Sequence, residues 1–209
     1  MRLICVPLTD DRRHEEAIKD FVIDREAGIP KNLDYVAGLE AYLKRCAWDD
    51  DMNHDVKIYL IKDLEMEGEI VAYFGLRAGS VIDRSKGIFS MQEVEEALNN
   101  QNVKLVPATH PGIEISHFAV NDNYRRKVGN IKGLGEYLYP EFIFPIILDV
   151  FDKIGVRLIY LFAAGDEHLI RYYRRVFGFQ TLDANDTNTP ILPSYDKGCT
   201  FMYDWIVHG

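Results

Sequence analysis

Residues 112–135 read GIEISHFAVNDNYRRKVGNIKGLG, and this stretch contains the main structural signal of the chain. The apolar and alternating residues 112–120 predict a strand. Residues 121–127 predict a basic loop, and a turn containing Gly129, Gly133 and Gly135 leads into an apolar helix. Free amides at a helix N-terminus bind anions, and nearby cations add to that attraction. The stretch therefore predicts a site for a phosphate or pyrophosphate.

Composition indicates a folded globular protein. The 209 residues are 47% hydrophobic, which suits one domain, or one domain with an insertion, around a sizeable core. The net charge is −9. This balance disfavours a nucleic-acid partner, because nucleic-acid surfaces need a concentrated basic face. Residues 125–132 remain as a local basic patch.

Cysteine usage and hydropathy indicate a cytoplasmic protein. Cys5, Cys46 and Cys199 lie far apart, and no pair has a metal-ligand spacing, so we expect reduced thiols, no disulfide framework and no metal site. We expect no signal peptide, since no long apolar run follows a basic start. The longest apolar stretch, residues 142–151, is too short to span a bilayer, so no membrane partner is expected.

The periodicity of apolar residues predicts the order of elements. The predicted strands cover residues 3–8, 56–61, 70–76, 112–120, 156–163 and 200–207, and another begins at Phe179. The first predicted helix ends near residue 26. Four further helices are predicted over residues 33–45, 92–98, 139–154 and 167–176. Residues 49–55 are predicted to form an acidic loop. This order predicts a mixed α/β layer arrangement, and it disfavours a Rossmann domain, whose glycine turn follows the first strand.

Two regions interrupt the regular pattern. Residues 79–111 are predicted to be an insertion into the sheet, containing the helix at 92–98 and a short strand near 103–106. Pro140 and Pro145 are costly inside a helix, so we expect one in a first turn and the other at a kink.

The ordered motifs resemble the GCN5-related N-acetyltransferase (GNAT) superfamily. The likeness rests on the strand and glycine turn of residues 112–135, and on a second strand and helix at 158–173 that end in a tyrosine before Gly178-Phe179. The resemblance implies one acetyltransferase-like domain over residues 1–209 with an insertion at about 79–111. It also implies an α/β (α+β) fold with a mixed, mostly antiparallel sheet, flanked by helices and splayed at an acetyl-CoA site.

The resemblance also implies an activity and its cosubstrate. The expected reaction moves an acetyl group from acetyl-CoA to an amine by direct attack in a ternary complex. The phosphates and the pantetheine arm are expected to bind Phe118, Ala119, Val120, Arg125, Arg126, Lys127, Gly129, Asn130, Lys132, Gly133, Leu134 and Gly135. Either Gly133 with Gly135 or the earlier Gly129 matches the glycines of the family's turn.

Acyl transfer to an amine needs a neutral amine, a stabilised carbonyl oxygen and a leaving thiolate. Glu114 is the predicted base, with His117 or a water as alternatives. The resemblance implies that backbone amides near Phe118 and Val120 stabilise the carbonyl oxygen. Tyr173 is the predicted acid for the thiolate, and Tyr172 is the alternative because adjacent helical residues point about 100° apart.

The sequence does not identify the acceptor amine, which can belong to a small molecule or to a protein. One alternative is a non-catalytic CoA-binding module, and another is a toxin-type enzyme that acetylates aminoacyl-tRNA. In this fold the acceptor is selected by residues 24–45, 79–111 and 183–198. The acidic residues of 49–55 would favour a cationic amine, although a solvated loop is the simpler interpretation. Late strands in this family often pair, so a homodimer is compatible with the resemblance.

Overall fold

The computed structural model describes residues 1–24, 35–83, 96, 99, 109–182, 188–190 and 198–206. The strands are β1 (Leu3–Pro7), β2 (Lys57–Asp63), β3 (Glu69–Asp83), β4 (Thr109–Val120), β5 (Leu158–Ala164), β6 (Gln180–Thr181), β7 (Asn188–Pro190) and β8 (Cys199–Trp205). The α-helices are α1 (Arg13–Ala17), α2 (Tyr35–Arg45), α3 (Ala47–Met52), α4 (Asp122–Lys127), α5 (Leu134–Leu138), α6 (Phe144–Ile154) and α7 (Glu167–Phe177). No helix in these ranges is both long and apolar enough to cross a membrane.

The strands follow the order β1-β2-β3-β4-β5-β8-β6, and β7 pairs with β3. The pairs β1–β2, β2–β3, β3–β7, β5–β8 and β6–β8 are antiparallel. The predicted α/β fold with a mostly antiparallel sheet and flanking helices is therefore confirmed. The chain divides into two compact units, Met1–Arg77 with Glu114–Asp149, and Ala78–Ile113 with Val150–Gly209.

The first unit has an apolar core between its helices and strands. Ile58, Leu60 and Tyr73 lie in one buried cluster with Leu43 of α2 and Phe21. The Tyr73 ring meets Phe21 edge to face at 5.4 Å, and its hydroxyl donates to the Leu39 carbonyl at 2.7 Å. The buried tyrosine thus has both its ring and its polar group satisfied.

Two predictions for the first unit are wrong in detail. The first helix ends as α1 at Ala17, followed by a 3-10 turn, Ile18–Asp20, and Phe21 is already extended with ψ 129°. Residues 49–55 were predicted to be a loop, but α3 includes Asp49 and Asp51. Asp51 is buried and accepts from Thr9 Oγ1 at 3.1 Å and from Lys57 Nζ at 2.9 Å. These contacts give it a structural role.

The predicted helix over residues 139–154 forms, and its prolines change its winding. A π-helical segment, Tyr139–Ile143, joins α5 to α6 without a break. Pro140 lies in the first turn of that segment and Pro145 follows it. Proline lacks the N–H for the helical bond and its ring meets the carbonyl four residues back, so a wider turn between the prolines relieves both conflicts.

The second unit is built on β5 and β8. Their register pairs Tyr160 with Tyr203 and Phe162 with Phe201, which stacks aromatic side chains on one face. A Cβ on Gly79 would meet the Tyr160 hydroxyl at 1.8 Å, so a larger residue there would have to displace the Tyr160 ring. The helix α7 begins at an Asp166 cap that accepts from the His168 amide at 2.7 Å.

The predicted insertion over residues 79–111 has strand structure at both ends. The strand β3 continues to Asp83 and β4 begins at Thr109, so both are longer than predicted. Glu96 and Asn99 are helical, within or beside the predicted helix at 92–98. The remainder of that helix and the strand predicted near 103–106 lie outside the described residues.

We expect Asp51→Ala to destabilise the protein by about 2 kcal/mol, because the substitution removes two hydrogen bonds to a buried, charged carboxylate. Urea unfolding at neutral pH measures this. Asp49→Ala is the matched control, since Asp49 is exposed on the same helix and should cost less than about 0.5 kcal/mol. Equal effects of the two substitutions would show that α3 does not depend on Asp51.

Candidate functional site

The junction between β4 and α4 is held by a buried asparagine. Asn121 Nδ2 donates to the Ile70 carbonyl at 2.8 Å, and Oδ1 accepts from the amides of Val22 at 3.1 Å and Asn123 at 3.0 Å. The Asn121 amide donates to the Val71 carbonyl at 2.8 Å. One side chain therefore ends the strand and caps the helix that follows.

Residues 122–127 were predicted to be a loop, but they form α4. Tyr124 anchors this helix: it is fully buried and its hydroxyl donates to Asp63 Oδ2 at 2.9 Å. Arg125, Arg126 and Lys127 occupy the last turn of α4, where cations are favoured by the helix dipole. Asn121, a residue type that favours the N-cap, was the sequence signal that could have predicted this helix.

Each of these three basic residues is paired with a carboxylate. Arg125 lies 3.2 Å from Asp122, and Lys127 lies 2.6 Å from Glu69. Arg126 pairs with Asp24. Arg126 and Lys127 are 46% and 57% exposed, so these ion pairs are weak and can exchange for another anion. Lys132 is exposed and makes no ion pair with any described residue.

The glycine turn adopts left-handed backbone conformations. Gly129, Asn130 and Gly133 have φ values of 82°, 57° and 72°. These angles explain the residue types, because glycine and asparagine adopt them at the lowest cost. The turn links α4 to α5, which begins at Leu134.

The amides that begin α5 are unpaired in the described part of the chain. The first helical hydrogen bond is donated by Tyr137 to the Gly133 carbonyl at 3.0 Å. The N–H groups of Leu134, Gly135 and Glu136 precede it and have no acceptor within the helix. They begin a helical segment that continues through Ile154. This N-terminus provides the donors predicted for a phosphate group.

Glu114, the predicted base, is engaged by an arginine. Arg77 Nε donates to Oε2 at 3.0 Å and Nη2 donates to Oε1 at 2.8 Å, which forms a bidentate pair. The Glu114 side chain is 3% exposed and that of Arg77 is 25% exposed. Arg77 was missed from the sequence because the two residues meet only through the pairing of β3 with β4.

The alternation predicted for β4 is interrupted at its middle. A Cβ on Gly75 would meet Ser116 Oγ at 2.8 Å and Ile58 Cδ1 at 3.0 Å, so Ser116 lies on the face of Ile58. The next residue, His117, stacks on Tyr42, which packs against the same cluster as Ile58. Consecutive residues of a regular strand point to opposite faces, so β4 is irregular here, as in a β-bulge.

His117 lies in a defined aromatic and polar environment. Its ring is parallel to Tyr42, with centroids 3.7 Å apart and planes 7° apart, and Nδ1 lies 3.0 Å from Ser116 Oγ. Burial, with a smaller effect from Arg77, lowers the pKa of His117 to about 4. The imidazole is therefore neutral at physiological pH.

The predicted acids, Tyr172 and Tyr173, lie on α7 of the second unit. Both are half-buried, and their rings meet at 6.0 Å. Tyr173 also packs against Phe177 at 5.7 Å and Phe179 at 6.1 Å. Burial raises the pKa of Tyr173 well above its usual range. Its hydroxyl is therefore protonated near neutral pH, which suits a general acid and not a general base. The other predicted residues, Glu114, residues 118–120 and residues 125–135, lie in the first unit.

Solved structures share this fold, although no family model and no curated protein matches the chain. A Tyr-to-Phe mutant of the toxin AtaT, bound to acetyl-CoA and the C-terminus of the antitoxin AtaR, matches with TM-score 0.57 and 13% identity over 97% of this chain and 92% of that chain. AtaT complexed with acetyl-methionyl-tRNAfMet matches with TM-score 0.58 and 13% identity over 91% of this chain and 94% of that chain. A KacTA–DNA complex matches with TM-score 0.53 and 14% identity over 98% of this chain and 93% of that chain.

These neighbours are GNAT-like toxins, so the fold expected from the sequence resemblance is confirmed. Two of the three structures contain nucleic acid, and both proteins share this fold.

We expect Glu114→Ala to destabilise the protein by about 2–3 kcal/mol, because it leaves the Arg77 guanidinium partly buried without its carboxylate. Urea unfolding measures the loss. The double variant Arg77→Leu with Glu114→Leu should recover most of it, since the buried charge is then absent. A single substitution costing less than about 0.5 kcal/mol would contradict a structural role for the pair.

Proposed function

We propose that this protein is an N-acetyltransferase that moves the acetyl group of acetyl-CoA to an amine in a ternary complex. The observation that supports it best is the set of unpaired amides at the start of α5, directly after β4 and the basic helix α4. A protein that shares this fold has been solved with acetyl-CoA. Cys5, Cys46 and Cys199 form no disulfide with one another, which fits a cytoplasmic enzyme.

We assign the cofactor's phosphates to the glycine turn and its surrounding cations. The amides of Leu134, Gly135 and Glu136 are directed donors, and the helix dipole favours an anion at that end. Lys132 stands beside them without an ion pair among the described residues. Arg125, Arg126 and Lys127 would exchange their carboxylates for phosphate oxygens, and Gly129, Asn130 and Gly133 shape the turn.

We assign the pantetheine arm and the thioester to the end of β4. Ala119 is buried in the core of the first unit, and Phe118 and Val120 are half-buried on either side of it. Their backbone amides are the donors for the arm and for the oxygen that gains charge during attack. A preorganised donor of this kind contributes about 3 kcal/mol to the transition state.

In the reaction we propose, the amine nitrogen attacks the thioester carbon and the carbon–sulfur bond breaks. Tyr173 protonates the departing sulfur, and Tyr172 is the alternative acid. Glu114 remains the base predicted from the sequence, acting directly or through water, although both carboxylate oxygens already accept from Arg77.

A second candidate function is acetylation of the amine of aminoacyl-tRNA. It is favoured by the structural neighbour solved with acetyl-methionyl-tRNA and by a basic face on α7 that contains Arg171, Arg174 and Arg175. The net charge of −9 opposes it. Arrested growth on overexpression, with acetylated aminoacyl-tRNA recovered from the cells, would support it, and normal growth with unmodified tRNA would exclude it.

A thiol-release assay across a panel of amines, with calorimetry of acetyl-CoA binding, tests the main proposal. Heat of binding together with turnover supports an enzyme. Binding without turnover for every amine would instead indicate a non-catalytic CoA-binding module. Absence of binding at millimolar acetyl-CoA would overturn the assignment of the site.

We expect Lys132→Ala to weaken acetyl-CoA binding roughly fivefold, because a unit charge about 4 Å from a phosphate contributes about 1 kcal/mol in water. Calorimetry at two salt concentrations measures this, and the difference should shrink at high salt. Lys19→Ala is the matched control, since Lys19 is an exposed lysine beside α1. Equal affinity for the variant and the wild type would remove Lys132 from the phosphate site.

We expect Tyr173→Phe to lower kcat by about 10²-fold without changing acetyl-CoA affinity, because general acid catalysis contributes about 10²–10⁴-fold. Tyr172→Phe is the paired variant and should have the smaller effect. Since burial raises the pKa of Tyr173, loss of its proton should not limit the rate up to pH 9. A larger loss for Tyr172→Phe would exchange the two assignments.

A further inference from the structure

A short extended segment is tied to the beginning of the helix α4. We call residues 20–24 the strap. The Val22 amide donates to Asn121 Oδ1 at 3.1 Å, and the Val22 carbonyl accepts from the Asp122 amide at 2.8 Å. The Asp24 amide donates to Asp122 Oδ2 at 2.6 Å. These hydrogen bonds hold the main chain of the strap against the residues that end β4 and begin α4.

The far end of the strap holds one cation of the proposed phosphate site. The Asp24 carboxylate pairs with the Arg126 guanidinium, and their side chains are 45% and 46% exposed. Arg126 Nη2 also donates to Asn123 Oδ1 at 2.6 Å, on the α4 turn that carries the strap. Asp24 is therefore an internal anion placed on a guanidinium that a phosphate oxygen would otherwise take.

The strap also connects α4 to α2, and only its end is free of the core. The Ile23 amide donates to Glu40 Oε2 of α2 at 3.0 Å. Phe21, at the other end, is fully buried, and its amide donates to the Ile18 carbonyl at 3.1 Å. The beginning of the strap is thus fixed, whereas Ile23 and Asp24 can move without disturbing buried apolar residues.

We propose that the strap is an autoinhibitory contact that couples the phosphate site to α2. A phosphate that takes Arg126 from Asp24 releases the end of the strap, and the hydrogen bond from Ile23 to Glu40 is lost with it. This inference rests on the proposed acetyl-CoA site and assigns a regulation to that site. It makes acetyl-CoA the first substrate to bind, because α2 lies in the part of the chain expected to select the acceptor.

Electrostatics gives the direction of the change. A phosphate bound to Arg126 weakens the attraction that holds Asp24 and adds repulsion between the two anions. The ion pair is half-exposed, so breaking it costs little and cofactor binding can drive the release. Coupling between two sites is reciprocal, so a change at α2 that frees the strap must also raise acetyl-CoA affinity.

Calorimetry with acetyl-CoA tests the competition. Asp24→Asn keeps the shape and the main-chain hydrogen bond but removes the carboxylate charge, so we expect affinity to rise about threefold, and less at high salt. Glu69→Gln is the matched control, because it frees Lys127 of α4 in the same way from β3, outside the strap. It should also raise affinity while leaving the strap intact.

Amide hydrogen exchange, followed by NMR with and without CoA, tests the release. In the wild type we expect CoA to speed exchange of the Ile23 and Asp24 amides about fivefold, as expected for the loss of one hydrogen bond. The Phe21 amide should not respond. In Asp24→Asn the two amides should exchange rapidly even without CoA, whereas Glu69→Gln should respond to CoA as the wild type does.

Substitution of Glu40, which does not pair with Arg126, tests the reciprocal effect. Glu40→Ala removes the acceptor of the Ile23 amide, so we expect acetyl-CoA to bind about threefold more tightly. Glu40→Gln is the control, because it removes the charge and the ion pair with Lys44 but keeps an acceptor oxygen. Its affinity should equal that of the wild type.

The outcomes separate this inference from the proposed function. If the wild type binds acetyl-CoA and Asp24→Asn binds it equally, the autoinhibitory contact is overturned while the cofactor site stands. Tighter binding by Asp24→Asn without any response of the Ile23 amide to CoA would show competition at Arg126 alone, and the coupling to α2 would be wrong. Equal affinities of Glu40→Ala and Glu40→Gln would also overturn the coupling. A wild type that binds no acetyl-CoA overturns both proposals.

Discussion

The site depends on a buried polar junction, because a strand must end and a helix must begin inside the first unit. Backbone amides and carbonyls exposed at such a point cost free energy unless each finds a partner. Asn121 solves this with one side chain, which donates to the strand β3 and accepts from both the helix α4 and the segment at Val22. The position of the glycine turn, and of every amide beyond it, follows from that anchor.

Ion pairs connect the helix α4, which follows this junction, to other parts of the chain. Asp24 and Glu69 come from two other segments and Asp122 from α4 itself, and each pairs with one basic residue of α4. These pairs are partly exposed and add little stability. Their effect is to hold in place three cations of the proposed phosphate site. A bound phosphate would compete with the carboxylates, so cofactor affinity includes the cost of breaking those pairs.

Local patterns predicted the parts of the fold that depend on local interactions. The strand before the glycine turn and the helix α7 were predicted because periodicity and a terminal glycine define them. The helix α3 was missed because its stability comes from Asp51, whose partners Thr9 and Lys57 lie outside the helix. Arg77 was missed because strand pairing brings it to Glu114 across 37 positions of sequence. Contacts between distant residues do not change the periodicity of apolar residues in the sequence, so they cannot be predicted from it.

The interruption of β4 has a chemical consequence that a regular strand would not have. Regular alternation would direct Ser116 and His117 to opposite faces, where the hydroxyl could not orient the ring. The irregularity brings Ser116 Oγ to Nδ1 and the ring onto Tyr42, so both contacts orient the imidazole ring. A buried ring beside a guanidinium stays neutral, and Glu114 in turn balances that guanidinium. The irregular part of β4 therefore lies between a neutralised arginine pair and an uncharged histidine.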